Sequence, residues 1–239
     1  MEFESLDKKN SIISRDNLSD FTLILSLEEK DSENAYINEI KDVKLSEFSK
    51  MSYNVAYIYE KLEKIPFIIF EHTGGNIKVF SNQISVELSR VSETVAISED
   101  EKFEYEEEII SKYSSNLNFL LGIMLSKIEK KEIKYSIEAD LTLNIKEYFI
   151  QNSFIKEEKI KKIKGLKEDR DCIISGIKID VISKNTDKKS YIITEHLEGN
   201  QLRIHYSVSM DVKLTSIDLN NIINSTINDV DKMVKNIRM

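Results

Sequence analysis

One ten-residue pattern occurs twice in this chain of 239 residues and constrains its fold more than any other feature. Residues 67–76 read FIIFEHTGGN, and residues 191–200 read YIITEHLEGN. A shorter pair of similar segments, Asp20-Phe-Thr-Leu23 and Asp140-Leu-Thr-Leu143, precedes the two copies in the same order and at a similar offset. Two similarities in one order indicate that a single module has been duplicated.

The first half of the chain changes from a strand period to a helix period. Apolar residues alternate from Phe21 to Leu27, which is the period of a half-buried strand. Thr73-Gly-Gly-Asn76 separates two apolar runs, and it predicts a hairpin turn because glycine supplies the positive φ that such turns need. After Ser98, apolar residues recur every three or four positions and predict one long amphipathic helix over residues 102–129.

The second half follows the same plan. Alternation over residues 133–145 and 202–212 predicts two long strands, and an apolar stripe from Leu219 to Ile237 predicts a closing helix. The charged segments 30–48 and 146–170 are interpreted as connections. The sequence therefore predicts an α+β fold, a tandem duplication of an antiparallel β-meander followed by a long amphipathic helix. Both helices are expected on one face of a continuous or paired sheet.

The predicted division of the chain has three parts. Residues 1–19 form an N-terminal lead-in, residues 20–131 a first β-meander-plus-helix module, and residues 132–239 a second such module. No linker separates the two modules, because the first helix runs to about Lys131 and the next strand starts at Ile133. The modules are therefore expected to share one sheet.

Charge and composition limit the partners and the compartment. A formal net charge of −8 repels a phosphate backbone and disfavours nucleic acid as a partner. The single cysteine, Cys172, cannot form an internal disulfide and opens an apolar run, so we interpret it as a buried structural thiol in a reducing compartment. The N-terminus lacks the layout of a signal peptide, and no run is apolar enough for a membrane span. These features predict a cytoplasmic protein that does not associate with a membrane.

The candidate ligand-binding residues are the repeated pairs Glu71 with His72 and Glu195 with His196. A histidine can act as a base or a ligand near neutral pH, and two related pairs could converge if the modules face each other. The alternative is a structural role in register and turn, because each pair lies beside a glycine turn and neighbours on a strand point to opposite faces. His205 falls on the polar side of its strand and is predicted to be solvated.

No other motif in the sequence indicates chemistry. The chain lacks a phosphate-binding glycine loop, a nucleophile elbow, a zinc motif and an HExxH helix, so no metal, no cofactor and no catalytic residue is predicted. The acids at 104–108 suit the positive end of a helix dipole. The lysine-rich run at 156–170 could touch an anionic partner, but its interleaved acids favour a solvated connection.

Four segments together resemble a sporadically distributed, uncharacterised family of bacterial proteins of similar length. They are the strand Phe21–Leu27, the helix start Phe103-Glu-Tyr-Glu106, the step Ile145-Lys-Glu-Tyr-Phe149 and the strand Val208-Ser-Met-Asp211-Val. The family's segments read roughly E-D-Y-F at the step and L-D-I-D in the late strand. This chain departs from the family in its helix start, which is not aromatic-rich, and in lacking an arginine-bearing strand. The resemblance implies a non-secreted cytoplasmic protein with no assigned reaction, and the family's patchy distribution points to mobile or defence-linked genes.

The sequence favours a non-catalytic protein-binding or adaptor protein of a bacterial or phage cytoplasm, linked to phage defence or counter-defence. The reason is that a well-patterned chain carries no catalytic constellation. One alternative is a small-ligand or peptide-binding protein with a pocket between the modules. Another is an enzyme that uses the repeated Glu-His pairs. A protein partner is expected, and a homodimer is left open.

Overall fold

The fold is described from a computed structural model of the chain. It describes residues 13–27, 35–53, 56–58, 61–63, 67–89, 99–127, 133–144, 176–182, 189–197, 201–212 and 216–237. The predicted connection 146–170, Cys172 and most of the predicted lead-in lie outside these residues.

Eleven strands and three α-helices make up the described part of the chain. The strands are β1 (Leu18–Leu27), β2 (Ser49–Tyr53), β3 (Ala56–Ile58), β4 (Lys61–Glu63), β5 (Phe67–His72), β6 (Gly75–Phe80), β7 (Gln83–Ser89), β8 (Ile133–Asn144), β9 (Gly176–Ile182), β10 (Lys189–Leu197) and β11 (Gln201–Val212). The helices are α1 (Ala35–Ile40), α2 (Glu99–Ser126) and α3 (Leu219–Ile237). A short 3-10 helix, Arg15–Asn17, precedes β1.

Nine of these strands form one continuous sheet. Their order is β2-β5-β6-β7-β1-β8-β11-β10-β9, and every neighbouring pair is antiparallel. The strands β3 and β4 pair with each other in a separate two-stranded ribbon. The two halves of the chain meet at β1 and β8, so the predicted antiparallel α+β architecture is confirmed, with the sheet continuous across the halves.

Alternation in the sequence explains why these segments are strands. In β1, Leu23 and Leu25 are fully buried, whereas the intervening Thr22 and Ile24 are half-buried. Successive side chains of a strand point to opposite faces, so each central strand sends one set of apolar residues into a single core. The turn predicted at Thr73–Asn76 joins β5 to β6, with Gly74 at a φ of 75°.

Both long helices pack on the same face of the sheet, as predicted. The stripe of α2 buries Tyr113, Leu117 and Leu120, and these side chains belong to the same core as the buried residues of β1 and β8. The stripe of α3, which includes Leu219 and Val230, joins that core as well. The helix predicted over 102–129 begins earlier, at Glu99, and ends at Ser126.

The two copies of the ten-residue pattern lie at different places in the sheet. Each half has its first strand beside its last one, giving the blocks β5-β6-β7-β1 and β8-β11-β10-β9. The first copy lies on β5 and β6, which are the fourth and third strands of their block when counted outward from the centre of the sheet. The second copy lies on β10 and leads to β11, which are the third and second strands of theirs. Asp20 and Asp140, by contrast, lie directly opposite each other on the central strands of the two blocks. The common strand order, rather than the ten-residue pattern, relates the halves, and the duplication stays a prediction.

Two predicted loop regions contain structure of their own. The connection 30–48 includes α1, whose Tyr36 is fully buried and donates a hydrogen bond from its hydroxyl to the Phe80 carbonyl. At the end of the predicted lead-in, Ile13 is 2% exposed, and its N–H donates to Asp231 Oδ1 at 3.2 Å. Residues 13–19 therefore belong to the fold.

Candidate functional site on the sheet

No described helix covers one of the two faces of the sheet, and we call that face the open face. The three described helices all contribute to the core on the other face. Side chains on the open face alternate with buried ones; along β1 they include Asp20, Thr22 and Ile24, and along β8 they include Glu138 and Asp140. These residues are half-buried or exposed. The open face is therefore a surface on which a ligand or partner can be considered.

A polar row, Asp20, Asp140 and His205, crosses the middle of the open face. The three residues are cross-strand neighbours on β1, β8 and β11. His205 Nδ1 lies 2.8 Å from Asp140 Oδ1, and His205 Nε2 lies 3.5 Å from the Tyr191 hydroxyl. The side chains of His205 and Asp140 are 30% and 34% exposed, so a ligand can reach both.

The hydrogen bond to Asp140 determines what His205 can do chemically. When a carboxylate accepts the proton of Nδ1, the neutral imidazole presents Nε2 as an acceptor. That nitrogen could take a proton from a hydroxyl group, and the Tyr191 hydroxyl lies 3.5 Å from it. The sequence missed this arrangement and predicted a solvated His205, because the register of β8 against β11 cannot be deduced from alternation alone.

A second feature of the open face is an aromatic row, Tyr53, Phe67 and Phe80, near the sheet edge. The rings of Tyr53 and Phe67 are stacked, with centroids 4.8 Å apart, and those of Phe67 and Phe80 are stacked with centroids 5.2 Å apart. Tyr53 is 41% exposed, and the two phenylalanines are half-buried. The aromatic row meets β1 at Ser26, because Phe80 pairs with Gln83 and Gln83 pairs with Ser26. The polar row meets β1 at Asp20, six residues away, so the two rows are about 20 Å apart along the strands.

Glu71 and His72, predicted as ligand-binding residues, point to opposite faces of β5. Glu71 is exposed on the open face, while the ring of His72 lies on the helix side, 4.9 Å from the ring of Phe48. The carbonyl of His72 accepts a hydrogen bond from the Tyr113 hydroxyl at 3.1 Å. Burial raises the pKa of Tyr113 well above its ordinary value, so this hydroxyl keeps its proton.

An ion-pair network borders His72 on the helix side. Glu47 Oε2 lies 3.9 Å from His72 Nε2 and 2.7 Å from Lys112 Nζ. Lys112 also lies 3.0 Å from Glu108 on the same helix. The hydrogen bond from Lys112 lowers the pKa of Glu47, and the hydrogen bond to Glu47 raises the pKa of Lys112. The network ties the segment before β2 to α2.

The second pair, Glu195 and His196, lies on β10, where the two residues pair with Arg203 and Leu202 of β11. Their side chains are outside the described part of the structure. Five strands separate β10 from β5, so the two predicted pairs are about 29 Å apart along the sheet. The sheet order therefore does not bring them together in one cleft.

The described residues contain neither a cluster of metal ligands nor a membrane-spanning helix. Among them, no group of three or more His, Cys, Asp or Glu side chains is arranged to hold a metal ion. None of the described helices is long and apolar enough to cross a bilayer.

Comparison with known proteins identified no relative of this chain. The chain matches no protein family model, no curated protein and no solved structure.

Proposed function

We propose that the protein is a protein-binding or adaptor module that holds its partner on the open face. The observation that supports this function best is the aromatic row, three stacked rings on a face that no described helix covers. Aromatic side chains provide large contact areas at little cost in conformational entropy, and they are enriched among the residues that dominate binding energy.

The rest of the open face suits a protein partner. The polar row carries carboxylates and an imidazole that can accept or donate hydrogen bonds. A footprint of roughly 800 Å² per partner, the usual size for stable complexes, would reach from the aromatic row toward the polar row. The net charge of −8 argues against nucleic acid. We place this function in a bacterial or phage cytoplasm, in a phage defence or counter-defence setting, on the basis of the sequence resemblance.

The proposed function can be tested by comparing what three immobilised proteins retain from an extract of the native host. They are the wild type, the double variant Tyr53→Ala with Ile69→Lys on the open face, and the control Phe119→Ala. Phe119 is 54% exposed on α2, so the control removes a similar apolar group from the helix side. A partner retained by the wild type and the control but lost by the double variant would support the proposal.

The retained partner is then purified and its affinity measured by calorimetry against the same three proteins. We expect weaker binding by the double variant only. Equal affinity for all three proteins would refute binding through the open face. Circular dichroism at 20 °C and thermal unfolding should show that the variants are folded.

The Asp140–His205 hydrogen bond favours a second candidate function, proton transfer by an enzyme. An imidazole held by a carboxylate, on a side chain that is 30% exposed, has the arrangement of a general base. Hydrolysis of p-nitrophenyl acetate by wild type and His205→Gln would test it. A rate above buffer that His205→Gln abolishes would support catalysis, and equal rates would exclude it for this substrate class.

A further inference from the structure

We propose that β2 accepts an extended segment of the partner as an additional antiparallel strand. This segment would present an aromatic, an aliphatic and a basic side chain, in that order, on the open face. The inference rests on the proposed function, and it specifies where the partner attaches and by which chemistry.

The first observation is that β2 is the edge strand of the nine-stranded sheet. Within the described residues it pairs with β5 and with no other strand. The outer side of an edge strand presents backbone N–H and C=O groups that can pair with another chain, and recognition domains use this mode to bind extended peptides.

The second observation is that the aromatic row ends at this edge. The centroid separations of 4.8 Å and 5.2 Å match the spacing of adjacent strands, about 4.8 Å. The interplanar angles of 13° and 16° show that the rings stand nearly parallel. A strand added outside β2 would therefore place its side chain where a fourth ring continues the stack, against the exposed face of Tyr53.

The remaining positions of β2 define the rest of the partner's pattern. On the open face Met51 lies beside Ile69, and Ser49 lies beside Glu71. An added antiparallel strand therefore meets Tyr53, then Met51, then Ser49. β5 is an example of a strand that fits this surface, because it places Phe67, Ile69 and Glu71 against the same three residues.

Charge determines the third residue of the partner's pattern, the one that would lie beside Ser49. Glu71 is exposed, and Ser49, which has a small side chain, is its cross-strand neighbour on the side of the added strand. A lysine or arginine opposite Ser49 can extend over the serine toward the Glu71 carboxylate. A partner segment of the form aromatic-x-aliphatic-x-basic therefore complements this edge.

A second copy of this chain fits the edge less well. If β2 paired with β2 of another copy about Met51, Tyr53 would face Ser49, and the stack of rings would stop. In that register the edge is complementary to a different chain, and self-association in another register is one of the outcomes tested below.

The experiment uses the isotope-labelled chain of 239 residues and two synthetic peptides. The first contains Tyr-Thr-Ile-Thr-Lys flanked by serines. The second has the same composition, with isoleucine moved one place so that it and tyrosine point to opposite faces of a strand. We expect the first peptide to shift the amide resonances of residues 49–53 and to bind at least threefold more tightly than the second.

Variants then test the role of the ring at the edge. Tyr53→Ala should weaken binding of the first peptide roughly three- to tenfold, because an aromatic pair is lost. Tyr53→Phe should retain the affinity, and Phe119→Ala should leave it unchanged. Tyr53 is exposed, so we expect these variants to fold.

The outcomes separate the edge inference from the proposed function. Shifts centred on the polar row, or equal binding of both peptides, would overturn the edge inference and leave binding by the open face standing. If neither peptide binds but the double variant still loses the host partner, the edge inference is overturned and binding by the open face stands. Sedimentation that shows self-association, abolished by Tyr53→Ala, would replace the partner strand with a second copy and refute the inference.

Discussion

The side-chain amide of Asn118 on α2 bonds both backbone groups of Ile217, just before α3. Asn118 Nδ2 donates to the Ile217 carbonyl at 2.7 Å, and Asn118 Oδ1 accepts from the Ile217 N–H at 2.8 Å. The Leu219 N–H donates to Ser114 Oγ at 3.1 Å. The first turn of a helix leaves its N–H groups without partners in the helix, and here α2 supplies a partner to the start of α3. These bonds fix the two helices beside each other.

Removing this amide should destabilise the protein. Asn118→Ala leaves two polar backbone groups of Ile217 without their partners, and Ile217 is 3% exposed. We expect the free energy of unfolding to fall by about 2–5 kcal/mol, measured by urea denaturation. Asn116→Ala is the control, because its amide donates to Lys112 in the same helix turn. Equal losses for the two variants would contradict the role of the Asn118 bonds.

Two glycines should respond in opposite directions to an added methyl group. A Cβ at Gly75 would lie 2.1 Å from the Glu87 carbonyl oxygen on the neighbouring strand, so Gly75→Ala must push β6 and β7 apart. A Cβ at Gly122, on the exposed side of α2, would meet no described atom within 4 Å beyond its chain neighbours and the backbone of its own helix. Gly75→Ala should cost more than about 2 kcal/mol, whereas Gly122→Ala should stabilise by about 0.5–1 kcal/mol.

Thermal and urea unfolding of the two glycine variants would provide this comparison. A Gly75→Ala protein as stable as the wild type would mean that the strands approach less closely than described. A loss of stability in Gly122→Ala would mean that the position is covered.

Burial of a tyrosine hydroxyl should make stability fall at alkaline pH. Tyr135 is 7% exposed, and burial raises its pKa well above its ordinary value of about 10. The folded protein therefore holds the phenol proton that the unfolded chain loses above about pH 10. This stabilisation is complete below pH 10 and is lost as the pH rises, by up to about 1.4 kcal/mol per pH unit.

Tyr135→Phe removes that titration. Relative to the wild type, the variant should gain stability steadily between pH 10 and 11.5, in unfolding experiments with urea. Around pH 8 the difference in unfolding free energy between the two proteins should stay constant as the pH changes. Parallel pH profiles for both proteins would show that Tyr135 titrates normally in the fold.

The architecture could be predicted from the sequence because it follows from periodicity. Alternation around Leu23 and Leu25, and the three- and four-residue spacing around Tyr113, indicate which side of each element is buried. The absence of a linker before Ile133 indicated that β8 would join the sheet of the first half. These features depend on local sequence, so the fold class followed.

The candidate site depends on pairings between distant segments, which periodicity does not determine. His205 meets Asp140 because β11 pairs with β8 in one register, and a slip of one residue would turn it to the core. The aromatic row needs β2 beside β5, and β2 follows directly after the predicted connection 30–48, in a stretch for which the sequence predicted no element. The ten-residue repeat was an unreliable guide to equivalent positions, because hairpins with a Glu-His pair and a glycine turn can occur at different places in one sheet.

The ion pair between Glu47 and Lys112 gives a final prediction, about acid titration. The Lys112 hydrogen bond lowers the pKa of Glu47, so the folded state favours the carboxylate. Its contribution to stability is therefore present above the unfolded pKa and is lost as the pH falls through the folded value. In Lys112→Met the pKa of Glu47, followed by NMR of its side-chain carboxyl, should rise toward the ordinary value. Lys78→Met, which breaks the separate pair with Glu87, should leave that titration unchanged. If Glu47 titrates identically in the wild type and in Lys112→Met, the pair does not form in solution and does not fix the segment before β2 to α2.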